Sequence, residues 1–310
     1  MNKKLAFVFP GQGSQQLGML ADLAQEHAII QSTFAEASAV LGYDLWELVQ
    51  NDAEQLGQTD KTQPALLTAS VALWRLWLEQ GGELPAYVAG HSLGEYSALV
   101  CAGVMPFADA VNLVRLRGEY MLTAVPAGEG AMAAIIGLDD AAVIAVCEAV
   151  DGIVSAVNFN SPGQVVIAGQ TAAVELAMAA AKEAGAKRAL PLPVSVPSHC
   201  ELMLPAGQSL AEQLLLIPFS APDCVLVQNV TAEAVADPAV LKENLVSQLS
   251  EPVLWTQSVT LLAELGVEET IECGPGKVLS GLNKRIVKGL GARAIGDVAG
   301  FASALADYKA

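Results

Sequence analysis

The stretch Tyr87-Val88-Ala89-Gly90-His91-Ser92-Leu93-Gly94-Glu95-Tyr96-Ser97-Ala98 holds an apolar run, a GxSxG motif and a second apolar run. This pattern predicts a short strand over residues 87–89, a sharp turn at Ser92 and a helix over 93–101. Such a turn pushes the serine hydroxyl out of the backbone, and small flanking residues avoid clashes around it. The hydroxyl would lie at a helix N-terminus, where free N–H groups favour an oxyanion. Ser92 is therefore a candidate nucleophile, and the alternative is an N-cap serine in a glycine-lined turn.

Outside this stretch, short β-type runs alternate with longer helical ones, which predicts an α/β fold. Residues 130–192 follow the order strand, helix, strand, strand, helix, strand, which is the ferredoxin-like order. Prolines flank this segment at 126, 191, 193 and 197, where chain crossings between domains are expected. The sequence therefore predicts a small domain over residues 127–196, inserted in a larger domain formed by residues 1–126 and 197–310.

The larger domain has its own predicted elements. Strands are expected over residues 4–9, 225–229 and 269–272. The clearest helix is expected to begin near Pro64, because proline fits a first helical turn, and to continue to Leu78. The last predicted element is a helix over residues 277–288.

Composition argues against several classes of function. The chain has 310 residues, of which 16% are charged, and a net charge of −17, so like charge would repel nucleic acids and anionic membranes. No apolar run reaches the roughly 18 residues of a membrane span. Five scattered cysteines without a CxxC pair suit reduced thiols in the cytoplasm, and with only three histidines no metal site is expected.

A serine nucleophile needs a base, which is usually a histidine. His91 is adjacent to Ser92 and is expected to point elsewhere, and His27 lies in a polar, acidic helix end. His199 remains, at the predicted junction between the domains, and is the candidate base. The alternative is a histidine at a helix N-terminus that faces solvent. No Asp or Glu in an apolar setting stands out as a third member, and a backbone carbonyl could orient the imidazole instead.

The glycine-rich segment Gly11-Gln12-Gly13-Ser14-Gln15 follows the first strand, at the carboxyl end where α/β sites form. The Gln12 amide or backbone N–H could complete an oxyanion hole with the Leu93 N–H. A phosphate loop is the alternative, but the segment lacks both the GxGxxG and the Walker lysine pattern.

Two arginines, Arg115 and Arg117, lie on a helix predicted over residues 107–122. Because they are two residues apart, they face different sides of that helix. A buried arginine needs an anion, and a carboxylate-bearing substrate could supply one through a bidentate contact. The alternative is that both arginines are solvated.

Several segments spread over the chain form a set. They are Phe7-Val8-Phe9-Pro10-Gly11-Gln12-Gly13-Ser14-Gln15, Thr62-Gln63-Pro64-Ala65, Gly90-His91-Ser92-Leu93-Gly94-Glu95-Tyr96-Ser97-Ala98, Arg117-Gly118, Val157-Asn158-Phe159-Asn160-Ser161-Pro162-Gly163-Gln164, Pro197-Ser198-His199 and Glu272-Cys273-Gly274-Pro275-Gly276. In this order the set resembles the malonyl-CoA:acyl carrier protein transacylase family, which loads malonyl groups in bacterial fatty-acid synthesis. The one departure is Cys273, where the family often has valine.

The resemblance implies an α/β-hydrolase-like large domain with the ferredoxin-like small domain inserted in it. It also implies roles for residues around one cleft. These are the nucleophile Ser92, the base His199, the oxyanion donors Gln12 and Leu93, Gln248, whose backbone carbonyl orients His199, Arg117, which binds the malonyl carboxylate, and Gln63 and Asn160, which line the cleft.

By the same resemblance, the donor is malonyl-CoA and the acceptor is the phosphopantetheine thiol of acyl carrier protein. The reaction is ping-pong through a malonyl-serine intermediate, with no cofactor. Separately from the resemblance, the chain is expected to be a monomer and, from its cysteines, cytoplasmic. Carrier proteins are acidic, as this chain is, so docking requires a local positive patch. The candidates are Lys277, Lys284, Arg285 and Lys288 on the last predicted helix, and Lys187 with Arg188.

Two other classes share part of this pattern. A serine hydrolase would use Ser92 and His199 but would not need Arg117. A non-catalytic module that binds carrier proteins is the second, and the coexistence of these three residues argues against it.

Overall fold

Two β-sheets organise the computed structural model, which describes residues 1–194 and 196–309. The strands are β1 Asn2–Phe9, β2 Pro85–Gly90, β3 Gly130–Ile136, β4 Val154–Ser161, β5 Gln164–Gln170, β6 Arg188–Pro191, β7 Val225–Val227, β8 Ala234–Val235, β9 Glu269–Glu272 and β10 Gly291–Ala294. The helices are α1 Ala21–Glu26, α2 Ala28–Leu41, α3 Leu45–Asn51, α4 Ala53–Leu56, α5 Thr59–Glu79, α6 Gly94–Cys101, α7 Phe107–Ala124, α8 Asp140–Glu148, α9 Thr171–Glu183, α10 Leu204–Leu216 (preceded by a 3-10 turn at Glu201–Met203), α11 Pro238–Ser247, α12 Trp255–Glu264, α13 Val278–Ile286 and α14 Val298–Asp307.

The larger sheet has the strand order β10-β9-β1-β2-β7-β8, and its pairs are parallel except for β7 with β8. Both faces of its central strand β1 are covered. Leu5, Phe7 and Phe9 pack into one apolar cluster, and Ala6 and Val8 pack into another. A parallel strand buried on both faces needs a continuous apolar sequence, which is what residues 5–9 supply.

The register of β1 places the functional loops at one edge of this sheet. Phe9 pairs with Gly90 of β2, and Val8 pairs with Glu272 of β9. Because these strands are parallel, their carboxyl ends meet, and ligand sites of open α/β sheets form at that edge. Gln12, Ser92 and Asn229, which follow β1, β2 and β7, are thereby brought to the same edge.

The smaller sheet is antiparallel, with the strand order β4-β5-β3-β6. Helices α8 and α9 pack against it in a cluster that includes Val143, Val174 and Ala177. The chain order β3-α8-β4-β5-α9-β6 is the order of elements predicted for residues 130–192. The Phe159 N–H of β4 donates to Val253 O at 3.0 Å, so this sheet is joined to the segment that precedes α12.

The prediction for the helix at Pro64 was wrong about its beginning. Helix α5 begins at Thr59, so Pro64 lies inside it rather than in the first turn. Proline removes one N–H, so the Asp60 carbonyl loses its helical donor. The Thr62 hydroxyl joins the first turn to the residues before it, since its one proton can go to Leu56 O at 2.5 Å or to Gln58 O at 3.0 Å. Burial of most of α5 in the core outweighs the local preference of proline.

Two further differences concern the C-terminal half. The strand expected over residues 225–229 ends at Val227, because Gln228 and Asn229 turn to hydrogen-bond Glu95. Elements β10 and α14 follow the last predicted helix, and short local patterns did not indicate them. Among the described residues, no helix has both the length and the apolar character to cross a bilayer.

Candidate active site

Ser92 lies in the sharp turn between β2 and α6. Its φ of 52° is in the left-handed region, which is costly for a residue with a side chain. The turn closes only because its flanks are glycines: a Cβ on Gly90 would overlap the Gly94 carbonyl, and one on Gly94 would overlap Phe9 O. The Ser92 N–H donates to Asn229 Oδ1 at 2.7 Å, which anchors the turn. The spacing of the GxSxG motif is therefore a steric requirement of this turn.

His199 is the histidine that the fold brings to Ser92, with 2.8 Å between Ser92 Oγ and His199 Nε2. Its Nδ1 lies 2.6 Å from Gln248 O. A carbonyl oxygen can only accept, so Nδ1 carries the proton and Nε2 of the neutral ring accepts from the hydroxyl. Burial and the nearby Arg117 charge lower the pKa of His199 to about 3, so the ring is neutral at neutral pH.

The other two histidines are engaged elsewhere. His91 Nε2 donates to Asn160 Oδ1 at 2.7 Å, and burial lowers the pKa of His91. His27 separates α1 from α2 and lies against Phe301. The distances therefore agree with the argument by exclusion that selected His199.

Arg117 is buried beside Ser92, with 2% of its surface exposed. Its Nη1 donates to Gln63 Oε1 at 2.8 Å, and its Nη2 donates to Gln248 Oε1 at 3.0 Å and reaches Ser92 Oγ at 3.4 Å. All three acceptors are neutral, and within the described part of the chain its Nε has no partner. Arg115 differs, since it forms a half-buried ion pair with Glu119. Among the described residues, no carboxylate therefore contacts this buried cation directly, although burying such a charge is costly.

A cavity of about 380 Å³ opens above Ser92. Gln12 and Leu93 lie on its wall with Arg117 and His199. The Gln12 and Leu93 N–H groups have no acceptor among the described residues, while the Gln12 side chain donates to Thr59 Oγ1 at 3.4 Å. Two free backbone donors beside a hydroxyl can stabilise an oxyanion. Mainly apolar side chains complete the wall: Met121, Met132, Leu192, Pro193, Val194 and Val196.

Gln63 and Asn160, which were expected to line this cavity, lie one layer behind its wall. Gln63 Nε2 contacts Met121 Sδ, and its carbonyl accepts from Arg117. Asn160 Oδ1 accepts from His91. Both residues hold a wall residue instead of facing the cavity, and Asn158 is the asparagine of this segment that faces it.

A buried carboxylate that was not expected from the sequence lies beneath Ser92. Glu95, on the first turn of α6, is 1% exposed. It accepts from Gln228 Nε2 at 2.9 Å, from the Asn229 N–H at 2.8 Å and from Gln248 Nε2 at 3.2 Å. Burial raises its pKa to about 7 against the opposing effect of these donors. The available signal was an acidic residue inside the apolar helix 93–101.

Known proteins resemble this chain over nearly its whole length. The acyl transferase domain family matches residues 6–296. The malonyl CoA-acyl carrier protein transacylase of Escherichia coli (strain K12) is 61% identical over 305 residues, which cover 97% of this chain and 99% of the relative. A solved acyl carrier protein S-malonyltransferase from Vibrio cholerae has a TM-score of 0.95 and 60% identity, over 97% of this chain and 99% of that one. A malonyl-transacylase solved in complex with its type II PKS acyl-carrier protein has a TM-score of 0.97 and 56% identity, over 98% of this chain and 99% of that one.

Proposed function

This chain belongs to the acyl transferase domain family, and on that premise we propose that it transfers a malonyl group from malonyl-CoA to the phosphopantetheine thiol of acyl carrier protein. It is an acyltransferase of the malonyl CoA-acyl carrier protein transacylase group. One observation supports the proposed malonyl transfer most directly. His199 Nε2 and Arg117 Nη2 converge on Ser92 Oγ, at 2.8 and 3.4 Å, so a nucleophile, its base and an anion-binding group share one cavity.

The first half-reaction loads the enzyme. The Ser92 hydroxyl attacks the thioester carbonyl carbon while its proton passes to His199 Nε2. The Gln12 and Leu93 N–H groups receive the oxyanion, and each such donor contributes on the order of 10²–10³ in rate. The C–S bond then breaks, and His199 returns the proton to the coenzyme A thiolate, which leaves malonyl on Ser92.

The second half-reaction runs the same steps with a new thiol. His199 takes the proton of the phosphopantetheine thiol, and the sulfur attacks the malonyl ester. When the C–O bond breaks, His199 gives the proton back to Ser92. Gln248 O keeps the imidazole in the required tautomer in both half-reactions. The proposed ping-pong route invokes no cofactor.

Arg117 is proposed to select the acyl group. The malonyl carboxylate would replace neutral acceptors around a buried cation, which is a charge-assisted contact that acetyl cannot make. Gln63 and Asn160 would act indirectly, because they hold Arg117 and His91 in place.

The acidic carrier protein is proposed to dock on a positive surface beside α13. Lys187 and Arg285 line the same surface cleft, so the two candidate patches are continuous. In the described part of the chain, the candidate cations form no ion pairs that would neutralise them. They are Lys277, Lys284, Arg285, Lys288, Lys187 and Arg188. A positive surface without neutralising partners would attract an acidic protein.

For the architecture, the same family likeness supports an α/β-hydrolase-like domain over residues 1–126 and 197–310 and a ferredoxin-like domain over 127–196. The two sheets with separate apolar clusters are consistent with that division. We propose a monomer, since Ser92, His199 and Arg117 come from one chain, and a cytoplasmic location, since all five cysteines are free.

Intact-mass spectrometry tests the proposal. Malonyl-CoA should add one malonyl group to the protein, peptide mapping should locate it on Ser92, and holo acyl carrier protein should remove it. Hydrolysis of malonyl-CoA at the same rate without carrier protein would indicate a serine hydrolase instead. Failure to acylate Ser92 would refute catalysis by this site.

A further inference from the structure

Glu95 links three segments that meet only in the folded protein. Its carboxylate accepts from Gln228, Asn229 and Gln248, which follow β7 or end α11. Two of these residues also hydrogen-bond Ser92 directly. Asn229 Oδ1 accepts from the Ser92 N–H, and Gln248 Nε2 donates to Ser92 O at 3.1 Å. The carboxylate is thus one residue away from both backbone groups of Ser92.

Gln248 also connects Glu95 to the base and to the cation. Its backbone carbonyl accepts from His199 Nδ1, and its side-chain carbonyl accepts from Arg117 Nη2. The side-chain orientation of Gln248 therefore requires acceptors on its Nε2 side. Ser92 O supplies one at 3.1 Å, and Glu95 supplies another at 3.2 Å.

We propose that Glu95 is a positioning residue for acyl transfer: its carboxylate holds Asn229 and Gln248 in the orientation that fixes the Ser92 turn and aligns the carbonyl acceptor of His199. This inference rests on the proposed function, because Glu95 would position the same Ser92 and His199 that carry out the proposed transfer. Glu95 does not line the cavity and is not a catalytic residue.

The geometry requires the ionised form of Glu95. All three of its partners are N–H donors, and a protonated carboxyl would place an O–H against one of them. The titratable and charged groups that interact with the carboxylate are Arg117 of α7 and Tyr96 of α6. The segments that follow β7 and α11 contribute only amide groups to it. Burial raises the pKa of Glu95 to about 7, so its ionisation lies within the working range of pH.

The test measures the rate of Ser92 acylation by malonyl-CoA in rapid-quench intact-mass experiments on the full chain. Glu95→Gln keeps one acceptor and should slow acylation about tenfold, which is the effect of one lost buried hydrogen bond, with the donor KM unchanged. Glu272→Gln is the matched control. Glu272 is also a buried carboxylate with three donor contacts, but these come from Leu279 and Ser280 of α13, so its acylation rate should stay at the wild-type value.

A pH profile separates positioning from general stabilisation. The rate of wild-type acylation should fall as the pH drops through about 7, because protonation removes an acceptor. This acidic limb of the pH profile should be absent in Glu95→Gln. Gln228→Ala removes one donor to Glu95 without touching Ser92, so it should move the limb to higher pH. This variant also keeps the test decisive if Glu95→Gln fails to fold.

The inference is overturned if Glu95→Gln acylates at the wild-type rate with an unchanged profile, or if Gln228→Ala leaves the limb in place. An equal loss of rate in Glu272→Gln would also overturn it, because the effect would then be general. Absence of any Ser92 adduct on the wild-type chain would instead refute the proposed function, so the two failures are distinguishable.

Discussion

Ser92 and His199 form a hydrogen bond of 2.8 Å, and both residues have left-handed backbones, with φ of 52° and 67°. This conformation costs about 1–2 kcal/mol for a residue with a Cβ, so the surroundings must impose it. Asn229 Oδ1 accepts the Ser92 N–H, and Leu249 O accepts the His199 N–H at 2.9 Å. Backbone strain is thus located at the two residues whose side chains must meet.

Replacing Ser92 should separate strain from chemistry. Both Ser92→Ala and Ser92→Gly should abolish the malonyl adduct, but the glycine variant should be more stable by about 1 kcal/mol, since glycine adopts positive φ freely. Chemical denaturation measures the difference. At Ser32, an exposed position in helix α2, the order should reverse, with alanine more stable than glycine. Equal stability of the two Ser92 variants would contradict the role of strain.

Arg117 should determine the preference for a dicarboxylic acyl group. Arg117→Ala should lower kcat/KM for malonyl-CoA about 100-fold, because a charge-assisted contact is lost, and change acetyl-CoA much less. Competition between the two donors, read by the mass of the acyl-enzyme, measures this. Arg115→Ala on the same helix is the control and should leave discrimination unchanged, since Arg115 pairs with Glu119 at the surface. Unaltered discrimination in Arg117→Ala would remove the proposed role.

The protonation state of His199 gives a prediction with a definite sign. Because burial and Arg117 lower its pKa to about 3, the imidazole should remain neutral when the pH falls from 7 to 5. Nitrogen NMR of the labelled ring reads this directly. Arg117→Gln removes the positive neighbour and should raise the pKa of His199. A ring that titrates near 6.5 in the wild-type protein would show that the site is more solvated than the structure indicates.

The docking surface can be tested by charge reversal. Lys284→Glu and Arg285→Glu should each raise the carrier-protein KM several-fold, because each reversal removes one attraction and adds one repulsion, and should leave Ser92 acylation by malonyl-CoA unchanged. Lys3→Glu makes the same charge change on an exposed residue of β1, far along the strand from the site, and should have no effect. The KM increase should shrink at high salt. Equal KM values for all three variants would exclude this surface.

Much of the fold followed from local pattern. The strand, turn and helix around Ser92 were predictable, because the GxSxG spacing reflects clashes within a few residues. The element order from β3 to β6 was also predictable from periodicity. The beginning of α5 was not, since tertiary burial outweighs the preference of Pro64 for a first turn.

The sequence by itself selected Ser92 as the candidate nucleophile and, by the scarcity of histidine, His199 as its candidate base. Only the tertiary structure decided that Arg117 and not Arg115 is buried, that Asn160 lies behind His91, and that Glu95 hydrogen-bonds Asn229. The physical reason is the separation along the chain of the residues that interact. A steric turn is set by neighbouring residues, whereas the Glu95 network joins positions up to 153 residues apart in the chain, and such contacts exist only after the sheet has aligned the ends of its strands.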